Sequence, residues 1–373
     1  MNTKIMHIHI TLVGGQNIPI YLGIYEKSPD VVVFVCTDKT REQSELIGSI
    51  VKLKTEYVIV NPLDYQDIKL KLVQLFENYK ENRISFNLTG GTKLMSLAAF
   101  SYKDTWEHVD FDYIDQNYQL FNLNTNTSRV LTSTIDLDTY FKLSGNHIKS
   151  YKKLEQYPRQ ILESWIQVRE LIHFSPGEYY NLTGTLANKN NQFQLTTKAG
   201  SSYDYDHEKD EVRIHLVNKT RTITRVLAFR QANDILLNTI WFELEVAQIF
   251  SKWKFTREIY HSVVVPYNSG SDKNEIDLVI SLGQKWLFVE CKTQVNDIKD
   301  IDKFRNVVKN YGGLGAKSIL ITDAPINDRV IEKCKDNNIL TFSLKQAKNN
   351  SMFMVDQSLF LMLESELFTS NPI

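Results

Sequence analysis

The segment Val289-Glu290-Cys291-Lys292-Thr293 places an acid and a base two residues apart at the end of an apolar run. The run itself, WLFV, predicts a buried strand. Residues two apart on a strand face the same way, so Glu290 and Lys292 share one face. Asp277 lies at the start of the preceding apolar segment, before a short Gly-Gln turn. It can therefore reach the same face from the neighbouring strand.

Two carboxylates beside a lysine suit the hydrolysis of a phosphodiester. Carboxylate oxygens hold Mg²⁺ or Mn²⁺, and the cation neutralises the phosphate and lowers the pKa of an attacking water. A lysine there can position the water and stabilise charge developing on phosphorus. We therefore expect Asp277 and Glu290 to bind a divalent metal and Lys292 to assist the water. The alternative is an ordinary surface ion pair between Glu290 and Lys292.

An acidic residue on the preceding helix would complete such a metal site. The candidate is Glu243 in the segment WFELEVAQIF, and Glu245 is the fallback. Glu243 shares a helical face with Val246, Ala247 and Phe250, so it lies beside the apolar stripe of that helix. We therefore expect Glu243 to be the third metal ligand.

The segment NLTGGTK, residues 87–93, has a different chemistry and joins a predicted strand to a predicted helix. Its two glycines let the backbone approach a ligand closely, and free N–H groups at the helix start favour an anion. The hydroxyls and the lysine suit a phosphate. The segment matches neither a Walker A loop nor G-x-G-x-x-G, so the alternative is a tight turn with an incidental lysine. The candidate ligand residues are Thr89, Gly90, Gly91, Thr92 and Lys93.

Two other polar loops follow strands of the same predicted sheet. They are Gly14-Gly15-Gln16-Asn17 and Thr37-Asp38-Lys39. In a parallel sheet ligands bind beyond the carboxyl ends of the strands, so three polar loops at one edge favour a ligand site. Gln16, Asn17 and Thr37 are therefore further candidate ligand residues.

Residues 1–145 alternate short apolar runs with stretches of helical spacing. This alternation predicts an α/β fold with a parallel sheet covered on both faces, a Rossmann-like domain. The predicted strands are Met6–Val13, Val31–Cys36, Tyr57–Val60, Ile84–Leu88 and His108–Ile114, and the predicted helices are Arg41–Leu53, Asp67–Tyr79 and Leu94–Thr105.

The rest of the chain divides at a change of composition. Residues 146–235 are predicted to hold a connector helix, Lys149–Phe174, interrupted at Pro158, and a small β insertion rich in Asn, Thr, Gly, Tyr and Asp. A helix over Asp234–Phe250, capped by its first residue, then leads into residues 236–373. Strands and helices in this last part predict a second α/β domain.

Composition narrows the class of protein. The chain has 373 residues, is 42% hydrophobic and carries a net charge of -1, so bulk charge does not indicate a polyanion partner. Its three cysteines are an odd number without close spacing, which argues against a disulfide framework and fits a reducing compartment. The sequence predicts neither a membrane span nor a signal peptide. We expect a soluble cytoplasmic protein.

A basic cluster surrounds a glycine-rich turn, Tyr311–Gly315, near the end of the chain. These side chains either contact a nucleic-acid backbone or form a solvated helix face, and the sequence leaves both interpretations open. The cluster consists of Lys303, Arg305, Lys309 and Lys317.

The two motifs resemble two known families. NLTGGTK in an N-terminal Rossmann-like domain resembles the CARF (CRISPR-associated Rossmann fold) domains. The order Glu243, Asp277, Glu290-x-Lys292 resembles the PD-(D/E)XK nucleases of the restriction-endonuclease-like fold, over roughly residues 236–345. Ile276 stands where that motif has its proline. The two domains in this order resemble the CRISPR ancillary nucleases of type III immunity.

The resemblance implies a function and its partners. It implies a homodimer with one cyclic tetra-adenylate shared between two CARF domains, and a nuclease that the ligand activates with Mn²⁺ or Mg²⁺ as cofactor. The substrate would be DNA and/or RNA, chiefly in single-stranded form. Carried over by motif, residues 89–93 would bind the ligand, Glu243, Asp277 and Glu290 would hold metal, and Lys292 would assist the water.

Three other interpretations come from different classes of protein. A ligand-responsive DNA-binding regulator would need a recognition helix, and no convincing one is evident in the sequence. A restriction-type endonuclease would cut without regard to cyclic nucleotides. A degenerate nuclease fold would serve assembly and would be insensitive to changes at Glu290 and Lys292.

Overall fold

The computed structural model describes residues 5–106, 108–187, 193–267, 270–295, 297–313, 315–350 and 354–368. The chain forms two compact units. The N-terminal unit comprises Met1–Ile148, Gly283–Trp286 and Lys309–Ala316, and the C-terminal unit comprises Lys149–Leu282, Leu287–Val308 and Lys317–Ile373. The division of the chain at residues 145 and 235 stays a prediction. None of the described helices is long and apolar enough to cross a membrane.

A mixed sheet forms the centre of the N-terminal unit. Five of its strands are parallel in the order β3-β2-β1-β4-β5, and an antiparallel hairpin, β6 and β7, extends the β5 edge. Every residue of β2, VVVFVC, is buried, as expected for a strand covered on both faces. The bounds are β1 His7–Leu12, β2 Val31–Cys36, β3 Lys54–Ile59, β4 Arg83–Asn87, β5 Val109–Ile114, β6 Gln119–Asn122 and β7 Thr127–Val130.

Helices connect these strands and set the position of the loops. Asp64 caps α3 by accepting from two backbone N–H groups of its first turn, and Thr92 caps α4 by accepting from the Met95 N–H. After β1 the chain adds β2 and β3 on one side of β1 and then crosses to add β4 on the other side. The loops after β1 and β4 therefore meet where the strand order reverses. The helices are α1 Asn17–Lys27, α2 Arg41–Val51, α3 Tyr65–Tyr79, α4 Lys93–Phe100 and α5 Leu137–Leu143.

The C-terminal unit holds a second mixed sheet and a small antiparallel sheet. The mixed sheet has the order β17-β16-β15-β14-β13-β8, and the antiparallel sheet has the order β12-β11-β10-β9. The predicted α/β fold, with a small β insertion, is therefore confirmed. The bounds are β8 Ser150–Lys153, β9 Gln194–Thr196, β10 Ser202–Asp206, β11 Glu211–Asn218, β12 Arg221–Ala228, β13 Glu258–Pro266, β14 Asp272–Ser281, β15 Trp286–Lys292, β16 Ala316–Thr322 and β17 Ile339–Ser343.

Helices α6 to α10, α13 and α14 share one core of buried aromatic and aliphatic side chains with strands of both sheets, and α11 and α12 complete the set of helices. They are α6 Arg159–Leu162, α7 Ser164–Phe174, α8 Pro176–Ala187, α9 Ala232–Leu237, α10 Ile240–Ser251, α11 Lys299–Tyr311, α12 Asp328–Asp336, α13 Leu344–Asn350 and α14 Val355–Leu367.

The predicted connector helix Lys149–Phe174 is wrong in its first half. Residues 150–153 form β8, which pairs antiparallel with β13. A 3-10 turn over Leu154–Gln156 follows, and the α-helices α6 and α7 lie after Pro158. The apolar spacing suggested a helix throughout, but α6 begins only after its N-cap Pro158. Pairing with β13 satisfies the backbone of residues 150–153 instead.

The predicted helix Asp234–Phe250 is two helices, α9 and α10. Thr239 between them has a left-handed backbone, φ 61°, which breaks the hydrogen-bond ladder. Asp234 is therefore not an N-cap but lies in the first turn of α9, where its carbonyl accepts from the Asn238 N–H at 2.9 Å.

Candidate active site and ligand site

An acid–base cluster lies on two neighbouring strands of the C-terminal mixed sheet. Asp277 is on β14, and Glu290 and Lys292 are on β15. The Lys292 Nζ is 2.6 Å from Glu290 Oε1 and 4.0 Å from Asp277 Oδ2. The Cys291 backbone N–H donates to Asp277 Oδ2 at 2.7 Å. The structure thus brings these three candidate residues together and links the two carboxylates through one ammonium group.

Burial and crowding oppose negative charge in this cluster. The side chains of Asp277 and Glu290 are only 15% and 16% exposed. Burial, and then the charges of Glu290 and Glu243, raises the pKa of Asp277 well above its usual range. Burial also raises the pKa of Glu290, although the adjacent Lys292 acts in the opposite direction. Burial alone would lower the pKa of Lys292, but the two carboxylates raise it, so the ammonium stays protonated.

Glu243 lies in the first turn of α10 and is turned toward β13. Its Oε2 is 2.8 Å from His261 Nε2, and His261 Nδ1 is 2.7 Å from the Tyr157 hydroxyl. Burial, and then the charge of Glu275, raises the pKa of Glu243 to about 8. Burial lowers the pKa of His261 to about 4, so its imidazole is neutral at neutral pH.

The donor chemistry fits a divalent cation. Asp277, Glu290 and Glu243 supply the carboxylate oxygens that Mg²⁺ and Mn²⁺ prefer. The charges of Glu290 and Glu243 both raise the pKa of Asp277, and a bound cation would offset this repulsion. As the side chains stand, the described residues contain no group of three or more His, Cys, Asp or Glu that could hold a metal ion.

The fallback residue, Glu245, belongs to another network. Arg169 donates from Nε and Nη2 to Glu245 Oε2 at 2.9 and 2.6 Å, and its Nη1 lies 2.7 Å from Asp323 Oδ1. Residues two apart on a helix face different directions, so Glu245 points away from Glu243. This pairing leaves Glu243 as the candidate ligand on α10.

Sequence reasoning missed Glu275, His261 and Tyr157. Glu275 lies two residues before Asp277 on β14, so the two-residue period of a strand could have found it. No spacing indicates His261 and Tyr157, because they meet only when residues 150–153 pair with β13.

The loops after β1 and β4 touch through their backbones in the N-terminal unit. A Cβ on Gly90 would lie 2.0 Å from the Leu12 carbonyl oxygen, and one on Gly14 would lie 2.8 Å from the Gly91 nitrogen. Gly91 also has a φ of 75°, in the left-handed region. The glycines of NLTGGTK are therefore required by the approach of two loops at the point where the strand order reverses.

The hydroxyls of the predicted ligand threonines accept hydrogen bonds from the backbone. Thr89 accepts from an N–H of β5 at 2.7 Å, Thr92 from the first turn of α4 at 3.3 Å, and Thr37 from the following 3-10 turn at 3.3 Å. Each hydroxyl still has its own proton to donate. Lys93 is exposed at the first position of α4.

A cavity of about 380 Å³ opens beside the loop after β1. The Asn17 Nδ2 donates to the Leu143 carbonyl at 2.7 Å. The Asn17 Oδ1 and Gln43 Oε1 atoms are buried and accept no hydrogen bond from the described residues. Buried acceptors of this kind cost free energy unless a ligand or water supplies a donor. The polar lining includes Gln16, Asn17, Gln43, Ser144, Lys309 and Asn310.

Residues 8–140 match the family model of the Card1 CARF domain. This segment is a CARF domain. Among curated protein sequences there is no match to the chain.

Solved structures extend the similarity over both units. Can2 from Sulfobacillus thermosulfidooxidans, in complex with cyclic tetra-adenylate, is 18% identical over 97% of this chain and 99% of its own, with a TM-score of 0.69. VC1899 from Vibrio cholerae is 15% identical over 96% and 98%, with a TM-score of 0.73. A type III CRISPR defence DNA nuclease activated by cyclic oligoadenylate is 12% identical over 100% of this chain and 54% of its own, with a TM-score of 0.59. At these identities the similarity shows a shared fold.

Part of the basic cluster lies in the same unit as the CARF domain. Lys309 lines the cavity there. Lys303 instead contacts Asp300 at 3.6 Å in the C-terminal unit. Leu314, in the glycine-rich turn between them and Lys317, lies outside the described residues.

Proposed function

We propose that this protein is a metal-dependent nuclease of type III CRISPR defence that a cyclic oligoadenylate activates. The observation that carries the proposal is the combination, in one chain, of a CARF domain and a buried Asp277–Glu290–Lys292 cluster on a second α/β unit. Structures of similar fold include one bound to cyclic tetra-adenylate and one of a DNA nuclease activated by cyclic oligoadenylate.

The catalytic roles follow from the chemistry of the side chains. Asp277, Glu290 and Glu243 would hold Mn²⁺ or Mg²⁺, which when bound neutralises the substrate phosphate and lowers the pKa of the attacking water. Lys292 is fixed by its 2.6 Å contact with Glu290 and would stabilise the charge that develops on phosphorus. The substrate proposed for this PD-(D/E)XK-like arrangement is DNA and/or RNA, chiefly single-stranded.

The activator would be cyclic tetra-adenylate bound at the loops after β1 and β4. Its phosphates would meet the start of α4, where free N–H groups and Lys93 favour an anion. Its adenine bases would lie in the adjacent cavity, which is lined by the amide side chains of Gln16, Asn17 and Gln43, a side-chain type that pairs well with adenine. Gly90 and Gly91 would contribute by letting the loops after β1 and β4 pack closely together beside the ligand.

A homodimer sharing one ring between two CARF domains is part of the proposal. Its support is an apolar surface on α4, the helix that begins at Lys93. Leu97 is 63% exposed and Phe100 is 42% exposed there. Apolar side chains grouped on one helix face beside a ligand loop suit contact with a second copy of the chain.

Cleavage assays with a panel of activators test the proposal. Labelled single- and double-stranded DNA and RNA would be incubated with Mg²⁺ or Mn²⁺, with and without cyclic oligoadenylates of different ring size. We expect cleavage only when both the metal and cyclic tetra-adenylate are present, and none with Asp277→Asn. Equal rates with and without activator would refute the regulation, and absence of cleavage under every condition would refute the nuclease.

A further inference from the structure

Within the C-terminal unit, the side chains of Glu243, His261 and Tyr157 form a continuous hydrogen-bonded line that starts at the candidate metal site. Glu243 Oε2 is 2.8 Å from His261 Nε2, and His261 Nδ1 is 2.7 Å from the Tyr157 hydroxyl. The His261 side chain is only 3% exposed, and the Glu243 side chain is 13% exposed. Both nitrogens of a buried imidazole are thus engaged, one with the carboxylate and one with the phenol.

These hydrogen bonds fix the orientation of the His261 imidazole ring as well as its position. The phenol can donate its proton to Nδ1, and the proton of a neutral imidazole then lies on Nε2 and points at the Glu243 carboxylate. The Tyr157 ring is in turn covered by the Lys152 ammonium, 3.9 Å from the ring centroid. Lys152 is the strand partner of His261 in the β8–β13 pair, so one pairing holds the whole line in register.

Glu243 needs such an anchor because its own helix supplies little restraint. It lies in the first turn of α10, which begins after the left-handed Thr239 and has no side-chain cap. A long carboxylate side chain has several rotamers, and ordering it in one of them costs conformational entropy unless a partner holds it. Metal-binding carboxylates are commonly fixed by hydrogen bonds of this kind, and the loss of such a partner weakens metal binding.

We propose that His261 and Tyr157 are positioning residues that hold the Glu243 carboxylate ready to bind a divalent cation. This inference rests on the proposed function, because it takes Glu243 as a metal ligand. It adds to the active site two residues that touch neither substrate nor metal and act through Glu243.

Direct measurement of Mn²⁺ binding tests the inference without nuclease activity. The full-length protein would be titrated with Mn²⁺, without nucleic acid, and free Mn²⁺ would be followed by its EPR signal. We expect His261→Leu to weaken Mn²⁺ binding by roughly 10- to 100-fold. His261→Gln should restore it to within a few-fold, because the glutamine amide can donate from near the Nε2 position. Tyr157→Phe, which removes one hydroxyl from the line, should give a smaller loss of about three- to tenfold.

Two further variants separate the possible outcomes. His215→Leu, on the antiparallel sheet where His215 contacts Thr224, is the matched control and should bind Mn²⁺ like the wild type. Asp277→Asn should abolish binding if the proposed metal site is correct. If Asp277→Asn has no effect, the proposed function and this inference both fail. If Asp277→Asn abolishes Mn²⁺ binding while folded His261→Leu and Tyr157→Phe proteins bind normally, only the positioning role is overturned. If His261→Leu does not fold, the Tyr157→Phe protein alone decides the test.

Discussion

At Asp277 the fold places a carboxylate where both burial and its neighbours oppose a negative charge. The Cys291 N–H and the Lys292 ammonium compensate only in part, since the pKa of Asp277 remains well above its usual range. A buried charge without full compensation is costly, so a cluster of this kind suggests a site kept for chemistry. Lys292, held between two carboxylates, is the residue whose removal best separates metal binding from catalysis.

We predict that Lys292→Ala abolishes cleavage but leaves metal binding in place. The expected loss in single-turnover cleavage is roughly 10²- to 10⁴-fold, because a positioned proton-transfer or charge-stabilising group contributes about that much. Mn²⁺ binding should persist, since the ligands are carboxylates. Lys335→Ala, on the exposed face of α12, is the control and should cleave at the wild-type rate. Unchanged cleavage by Lys292→Ala would favour a simple ion pair at this position.

Gly90 gives a second prediction at the scale of one residue. Gly90→Ala places a Cβ 2.0 Å from the Leu12 carbonyl oxygen, so the two loops must separate. We expect a loss of about 3 kcal/mol or more in the free energy of unfolding, at the upper end of overpacking costs. Gly15→Ala is the control for stability, since a Cβ there meets nothing within 4 Å. Chemical denaturation of the two variants would measure the difference, and equal stabilities would contradict the close approach.

At the scale of elements, the sequence predicts best where apolar runs are continuous. Val31–Cys36 is a strand with the predicted bounds because every position is buried and apolar. Tyr65–Tyr79 begins two residues before the predicted Asp67 because Asp64 caps the helix. Asp277, Glu290 and Lys292 could be placed on one face because the two-residue period of adjacent strands is a local rule.

Elements that depend on distant pairing were not predictable. Residues 150–153 carry helix-compatible side chains, and they become a strand only because β13 offers a free edge. The same pairing brings Tyr157 to His261, so this part of the site has no signal in the sequence. Lys309 and Asn310 line the cavity beside the loop after β1. They reach it by long-range packing, which the charge and spacing of residues in the sequence do not predict.

Contacts of Glu26 in α1 with β7 and the residues after it predict how the stability of the N-terminal unit changes at acid pH. Glu26 is bonded to Arg129 and accepts from the backbone N–H groups of Thr132 and Ser133 at 3.0 and 2.9 Å. Burial alone would raise the pKa of Glu26, but these partners lower it to about 2. An unfolded glutamate has a pKa of about 4.3, so the unfolded state binds one more proton between these values.

Stability should therefore fall as the pH falls from about 4.3 to 2, with a slope of up to about 1.4 kcal/mol per pH unit from this group. Glu26→Gln should lose that part of the slope and unfold with a flatter acid dependence. Urea denaturation at several pH values measures both proteins. Above pH 5 the two curves should run parallel, which serves as the internal control. Identical slopes below pH 4 would contradict the assignment.

At the scale of the whole molecule, regulation requires that activator binding favour one state of the protein. A ligand shifts an equilibrium only by its differential affinity for the two states. A ring of several phosphates shared by two CARF domains would supply that difference, because it contacts both copies only when they are suitably arranged. Dimer formation and activation should therefore be lost together.

We predict that Leu97→Glu separates the dimer and abolishes activation. Leu97 is 63% exposed on α4, so a charge there leaves the fold intact but opposes burial against a second copy. Sedimentation velocity should show a monomer, and cleavage with cyclic tetra-adenylate should fall at least about tenfold, with partial recovery at high protein concentration by mass action. Leu361→Glu, at a 56% exposed position of α14, is the matched control and should remain dimeric and activated. A dimeric, fully activated Leu97→Glu protein would show that α4 is not the contact surface.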